Sequence, residues 1–190
     1  MASTLLLYSS VYGLSKKICE RIQASLAQRG VQADVAPLVG HTVDPQAYDA
    51  IVLGASIKHG KHHPSVLEFI RANKALLESR PSALFSVNLV ARKPAKNTPQ
   101  TNPYLKRLVA QSPWKPKLQG VFAGELDYSR YGPVDKHMMR LVMWINKGPT
   151  DFDTRVQFTD WDEVERFAGK VAQLTSGTEV AVRRADALAA

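Results

Sequence analysis

Short apolar runs that end in clusters of small residues recur along this chain, and helical periodicities fill the gaps between them. Thr4-Leu5-Leu6-Leu7-Tyr8 runs into Ser9-Ser10-Val11-Tyr12-Gly13, the pattern of a buried strand meeting a loop. Ile18, Ile22 and Leu26 then recur at helical spacing, leaving Lys16, Lys17, Glu20, Arg21 and Gln23 for the wet side, and Gly30 closes the helix. Val31 to Leu38 predicts a second, shorter strand. Ala50-Ile51-Val52-Leu53-Gly54-Ala55-Ser56 repeats the apolar run into a small-residue turn, and Pro64 opens a helix carrying Val66, Phe69, Ile70 and Leu77. Ser82 to Val87 is another strand. A Pro- and Lys-rich loop leads from it to a helix with Asn102 as N-cap, Pro103 at its first position and Leu105, Leu108 and Val109 as its buried stripe. Gly120-Val121-Phe122-Ala123-Gly124 is the last clear strand.

Strands alternating with helices imply parallel strands joined by crossovers. The expected fold class is therefore α/β, an open doubly wound parallel sheet of five strands with helices on both faces and ligands at the carboxyl ends of its strands. After Gly124 the rhythm breaks. Residues 127–155 are expected to be an insertion near the last strand, after which Val156-Gln157-Phe158-Thr159 resumes the sheet edge. Thr159 or Asp160 then caps a final helix whose Val164, Phe167, Ala168, Val171 and Leu174 face the sheet. Residues 1–174 are expected to form one domain and 175–190 a loose tail.

Composition narrows the setting. A lone cysteine, Cys19, cannot form an internal disulfide, no leader-like segment opens the sequence, and no apolar run approaches the length needed to cross a bilayer. The expected address is the cytoplasm, with any membrane contact peripheral. A formal charge of +8 favours anionic company. Its densest part is Arg92, Lys93, Lys96, Lys106, Arg107, Lys115 and Lys117, in a stretch with no Asp or Glu. That stretch reads equally as a solvated face or as a surface for an anionic partner.

The loop after the first strand carries the chemistry. A phosphate needs converging N–H and O–H donors, and a Ser- and Gly-rich turn entering a helix supplies both, as Ser9, Ser10, Gly13 and Ser15 do here. Neither a dinucleotide Gly-x-Gly-x-x-Gly nor a Gly-Lys-Ser/Thr triphosphate loop is present, which leaves a mononucleotide such as a flavin. The plainer alternative is that Ser15 is only a helix cap and Gly13 only a turn. His59, His62 and His63 lack partners at metal-site spacing, so no metal is expected. His59 or His63 could accept a proton; a plain surface loop is the other reading.

Ser10-Val11-Tyr12-Gly13-Leu14-Ser15 resembles the Thr/Ser-x-Thr-Gly-x-Thr signature of flavodoxins, keeping the glycine and two hydroxyls while Tyr12 and Leu14 depart from it. Gly54-Ala55-Ser56-Ile57-Lys58-His59-Gly60, Ser86 to Pro94, Thr98-Pro99-Gln100-Thr101-Asn102 and Thr159-Asp160-Trp161 resemble the bacterial menaquinone-dependent protoporphyrinogen IX dehydrogenases in order and spacing. That resemblance, running from Leu5 to Leu174, implies a flavodoxin-like fold with FMN. It also implies oxidation of protoporphyrinogen IX to protoporphyrin IX in haem biosynthesis, with electrons passed to menaquinone or ubiquinone at the inner face of the cell membrane.

The FMN contacts implied are Ser9, Ser10, Val11, Tyr12, Gly13, Leu14 and Ser15 at the phosphate, with Ala55, Ser56, Ile57, Ser86, Val87, Asn88, Leu89, Val90 and Ala91 around the ring. In such a fold the flavin performs the transfer and the loops supply orientation and electrostatics, so no catalytic side chain is assigned. Lys58, His59, Arg92 and Lys93 follow the ring loops. Cations there stabilise an anionic reduced flavin and suit substrate propionates. In the insertion, Val134, Met138, Leu141, Val142 and Ile145 share one face of a helix. Lys136, Arg140 and Lys147 lie opposite, with Met139, Met143 and Trp144 on the flanks. Lys136, Met139, Arg140, Met143 and Trp144 are thus candidates for contact with an anionic membrane surface or a quinone; the alternative is that the apolar face packs on the domain. Two other functions fit parts of the pattern: an NAD(P)H:quinone reductase or electron carrier of the same fold, and a basic nucleic-acid-binding protein. The latter lacks any helix-turn-helix, zinc or aromatic-platform signal, so no nucleic-acid partner is expected. Oligomeric state is left open.

Overall fold

The computed structural model describes residues 2–40 and 42–189, with side chains described as far as Gly177. Strand β1 (Ser3–Ser9) lies between β2 (Gln32–Pro37) and β3 (Ala50–Lys58), and β5 (Ser82–Asn88) and β6 (Leu118–Ala123) extend the sheet beyond β3. The order β2-β1-β3-β5-β6 is parallel throughout, so the five expected strands pair as the alternation of strands and helices requires. A two-residue strand, β4 (Lys61–His62), folds back antiparallel on the end of β3.

Because both faces are covered, the strands are continuously apolar rather than alternating with polar residues, and their side chains divide between two cores. Leu5, Leu7, Ile51, Leu53 and Leu84 point to one core. Helix α2 (Pro64–Ala72), α3 (Lys74–Ser79) and α4 (Pro103–Gln111) close it with Val66, Ile70, Leu77, Leu105 and Leu108. Leu6, Val52, Ala83 and Phe85 point to the other, closed by α1 (Leu14–Ala27) and α6 (Trp161–Ala189) through Ile18, Ile22, Leu26, Val164, Phe167 and Val171. Gly54 on β3 admits the Phe85 ring so closely that a Cβ there would lie 2.2 Å from Phe85 Cζ.

The capping signals act as expected. The Asn102 side chain accepts from the backbone N–H groups of Tyr104 and Leu105, and of the two candidates for the last helix it is Asp160 that caps, accepting from Asp162 and Glu163. Thr159 instead donates to the Ala123 carbonyl at 2.8 Å.

Two expectations need correction. Residues 155–157 do not resume the sheet edge. They form β8 (Arg155–Gln157), antiparallel to β7 (Glu125–Asp127), in a separate ribbon. Three residues are too few to cross the sheet, and the ribbon instead ties the two ends of the insertion together through Arg130 and Arg155 with Glu125 and Asp127. Nor does the last helix stop at Leu174, since α6 runs on to Ala189. Thr175 is buried there and back-bonds to the Val171 carbonyl at 2.9 Å. Between β7 and β8 lies α5 (Pro133–Ile145), which rests on a small third cluster of Leu126, Tyr128 and Met143.

Candidate functional site

The carboxyl ends of β1, β3, β5 and β6 all open on one edge of the sheet, and α5 crosses above them. Between helix and strand ends lies a cavity of about 400 Å3. That is within the size range of small-molecule sites. Ser10, Val11, Tyr12 and Leu14 line it from the first loop, Ser56 to Gly60 from the second, and Val87 to Val90 with Arg92 from the third.

The first loop presents groups suited to an anion. The Ser10 hydroxyl accepts from Gly13 N–H at 2.9 Å, and Gly13 adopts φ 90°, a left-handed turn open to a residue without Cβ. No side chain caps the N-terminus of α1, and its first turn holds no acidic residue, so among the described residues its leading N–H groups and positive dipole end meet no anion. The Ser15 hydroxyl is buried at this terminus and has no hydrogen-bond partner among the described residues. An orphaned buried hydroxyl costs about 1–3 kcal/mol unless a ligand satisfies it. Val11 N–H donates to Ser56 Oγ at 3.2 Å, which joins the first loop to the second.

The third loop is held from below. Asn88 Oδ1 accepts from Ala91 N–H and from Asn102 Nδ2, both at 3.1 Å, and Asn88 Nδ2 donates to Ser86 Oγ at 3.1 Å. His62 reaches the same Ser86 Oγ at 2.9 Å, and burial pushes its imidazole down to about 4, so the ring is neutral in ordinary buffers. The expected ring neighbours therefore separate into two groups. Ser56, Ile57, Val87, Asn88, Leu89 and Val90 line the cavity, whereas Ala55 and Ala91 belong to the core beneath it and Ser86 to the polar network. Ser9, Gly13 and Ser15 likewise do not line the cavity; they shape or flank its end beside α1.

Of the expected cations, Lys58, His59 and Arg92 line the cavity and Lys93 does not. Arg92 donates to the Asn146 carbonyl at 3.1 Å and Lys93 to Asn146 Oδ1 at 2.8 Å, so both grip the C-terminal end of α5. At the other end His59 Nε2 meets Asp135 Oδ1 at 3.1 Å. Arg130 donates to the Tyr12 carbonyl at 3.0 Å and pairs with Glu125. The insertion is thus bound to all three loops.

Its helix lies with the reverse of the usual polarity. Met143 is 2% exposed and Met139 is half-buried, while Lys136 and Arg140 stand over the Phe152 ring at 4.9 and 4.8 Å. Of the five residues expected to meet a membrane or quinone, Met143 therefore cannot lie on a membrane surface. Trp144, at 70% exposure, can. The apolar face is not packed on the domain either: Val134 is 80% exposed, and Met138, Leu141, Val142 and Ile145 are exposed with it. Phe152 is the physical reason, since its ring takes the two cations by cation–π contact while Tyr128 and Leu126 receive Met143.

Sequence reasoning did not single out Tyr104, Glu125, Tyr131, Asp135 and Asn146, all of which line the cavity. Tyr131 packs edge-on to Tyr12 at 5.4 Å between ring centres, and burial pushes its phenol up to about 12. Only chain folding across more than a hundred residues brings these two together, so no local signal could have paired them. Among the described residues no helix is long and apolar enough to cross a membrane.

A flavodoxin-domain family model matches residues 5–153. The chain is 43% identical to a protoporphyrinogen IX dehydrogenase (quinone) of Escherichia coli, over 90% of this chain and 96% of that protein. It is 39% identical to a protein of the same name from Leishmania major, over 90% and 74% respectively. Oxidised flavodoxin 1 from Bacillus cereus superposes with a TM-score of 0.53 at 14% identity, covering 90% of this chain and 98% of that one, a likeness of fold.

Proposed function

The chain belongs to the flavodoxin-domain protoporphyrinogen IX dehydrogenases, a family of oxidoreductases, and from that premise we propose that it holds FMN and oxidises protoporphyrinogen IX to protoporphyrin IX in haem biosynthesis, passing the electrons to a membrane quinone. The observation that carries this reading is the partnerless buried Ser15 hydroxyl at the uncapped N-terminus of α1, one residue beyond the Leu14 that lines the cavity. A phosphate there satisfies the hydroxyl, the free N–H groups and the helix dipole at once.

These residues fit the cofactor. Ser10, Ser15 and the backbone of residues 11–15 would hold the phosphate, and Ser56, Ile57 and Val87 to Val90 would border the ring. When bound, the flavin supplies two-electron redox chemistry. The chain itself supplies placement: the Asn88–Asn102–Ser86 network keeps the third loop in one conformation, so little ordering remains when a ring enters. Met138, Met139 and Val142 on the α5 side exclude water and give an adaptable apolar wall for a large macrocycle. Lys58 and Arg92, both at the cavity, are the cations able to favour a reduced, anionic ring and a propionate-bearing substrate.

For the acceptor, Met138 and Val142 belong both to the cavity wall and to the exposed apolar face of α5. A helix lying on the cytoplasmic leaflet by Val134, Leu141, Trp144 and Ile145 would bring the cavity to the depth where a quinone is dissolved.

The test is to purify the protein, measure bound or added FMN, and add protoporphyrinogen IX without oxygen. The flavin absorbance should bleach and return on addition of a menaquinone. Flavin reduced by NAD(P)H and not by protoporphyrinogen would overturn the reading.

A further inference from the structure

The insertion brings a carboxylate to a histidine at the mouth of the cavity. His59 occupies a two-residue turn between β3 and β4 at φ 48°, a backbone conformation that a non-glycine residue adopts at some cost. Asp135 sits in the first turn of α5, with its Oδ1 3.1 Å from His59 Nε2, and both residues line the cavity. The pair is exposed enough to exchange protons with water, the His59 side chain being 54% accessible. Among the described residues Nδ1 of the ring has no hydrogen-bond partner. The other ionisable groups lining the cavity are Lys58, Arg92, Glu125 and the phenols of Tyr12, Tyr104 and Tyr131, and among the described residues none of them is hydrogen-bonded to the ring.

We propose that His59 is the proton acceptor of the reaction and that Asp135 is its positioning residue. The inference rests on the function proposed above. A porphyrinogen becomes a porphyrin in three two-electron steps that together break four bridge C–H and two pyrrole N–H bonds. In each step one bridge C–H bond breaks, its hydrogen and electron pair passing to the bound flavin as oxidant, and one proton is lost as well, from a pyrrole N–H in two of the steps and from a bridge carbon in the third, the electron pair left behind entering the new conjugated double bonds while the proton needs a base. The Asp135 carboxylate accepts Nε2–H and so fixes the tautomer in which Nδ1 is the free base. His59 takes that proton at Nδ1 and passes it to solvent. A neutral imidazole held in one tautomer by a carboxylate is the arrangement that general-base catalysis requires. The other carboxylate lining the cavity, Glu125, is held in an ion pair with Arg130.

The variant to make is His59→Gly, because glycine tolerates the positive φ and leaves an imidazole-sized space. Bleaching of the flavin by protoporphyrinogen without oxygen, at saturating substrate, should slow by roughly 100-fold or more. Free imidazole should restore much of it. FMN affinity, photoreduction of the flavin and protoporphyrin binding, read by porphyrin fluorescence, should stay within about twofold of the parent, as expected when only a proton-transfer step is lost. Asp135→Asn should lower the bleaching rate by about tenfold or more, with substrate affinity retained. Unchanged bleaching in His59→Gly overturns the assignment. So does a loss that imidazole does not rescue and that appears as weaker porphyrin binding, since that is the signature of a latch between α5 and the loop. If the parent protein itself is not bleached by protoporphyrinogen, the proposed function falls first, and this inference with it.

Discussion

Ser15 shows how one atom can separate structure from function. Its hydroxyl has no partner, so replacing it with alanine removes a burden from the free protein and a donor from the phosphate site. Ser15→Ala should leave thermal stability of the flavin-free protein equal or higher. It should also weaken FMN binding by about tenfold, the worth of one hydrogen bond to a charged group. Fluorescence titration of FMN and a melting curve without flavin check both halves. Gly54 is the opposite case, a residue whose absence of side chain is structural. An alanine Cβ would meet the Phe85 ring at 2.2 Å in a core with no slack, so Gly54→Ala should cost about 1–3 kcal/mol in urea unfolding.

At the scale of elements, α5 departs most from what its pattern allows one to foresee. The wheel grouped Val134, Met138, Leu141, Val142 and Ile145 on one face and Lys136, Arg140 and Lys147 on the other, but the helix ends at Ile145, so Lys147 lies beyond it. The wheel carried no information about which face meets the domain, because Phe152, Tyr128 and Leu126 are what decide it. Changing Leu141 and Trp144 to serine should abolish sedimentation with anionic lipid vesicles. Each change should alter folding stability by no more than ~0.5 kcal/mol, since neither side chain is packed in the fold. Retained vesicle binding in that double variant would remove the case for a membrane role of this face. The short ribbon of β7 and β8 teaches a related lesson. Val156-Gln157-Phe158-Thr159 has strand propensity, but a partner and a direction come only from the arginine–carboxylate cluster that closes the insertion.

For the whole molecule, acid stability follows from His62. Its imidazole is held neutral down to about pH 4 in the fold but protonates near the usual 6.5 when unfolded, so between those values the unfolded chain binds the extra proton. Stability should therefore fall as pH drops from about 6.5 to about 4 and show no further loss from this group below that. The contribution is at most ~3 kcal/mol, less to the extent that water reaches the ring. His62→Gln, which keeps a donor toward Ser86, should flatten that part of the stability–pH curve measured by denaturant unfolding.

Local pattern determined a good deal here. Apolar runs meeting small-residue turns placed the five parallel strands of the sheet, and with chain order they implied the parallel arrangement, because crossovers of one hand leave few alternatives. Asn102, Asp160 and Gly13 were legible because caps and turns act within a few residues. Tertiary structure alone decided which candidate residues face the cavity and which lie beneath it, as with Asn88 above and Ser86 below. It alone decided that Arg92 and Lys93 grip Asn146, that Tyr12 packs on Tyr131 and that His59 meets Asp135. Hydrophobic periodicity specifies a face and a direction along the chain. Contacts between segments 50 to 120 residues apart depend on how those faces pack in three dimensions, and no local period encodes that.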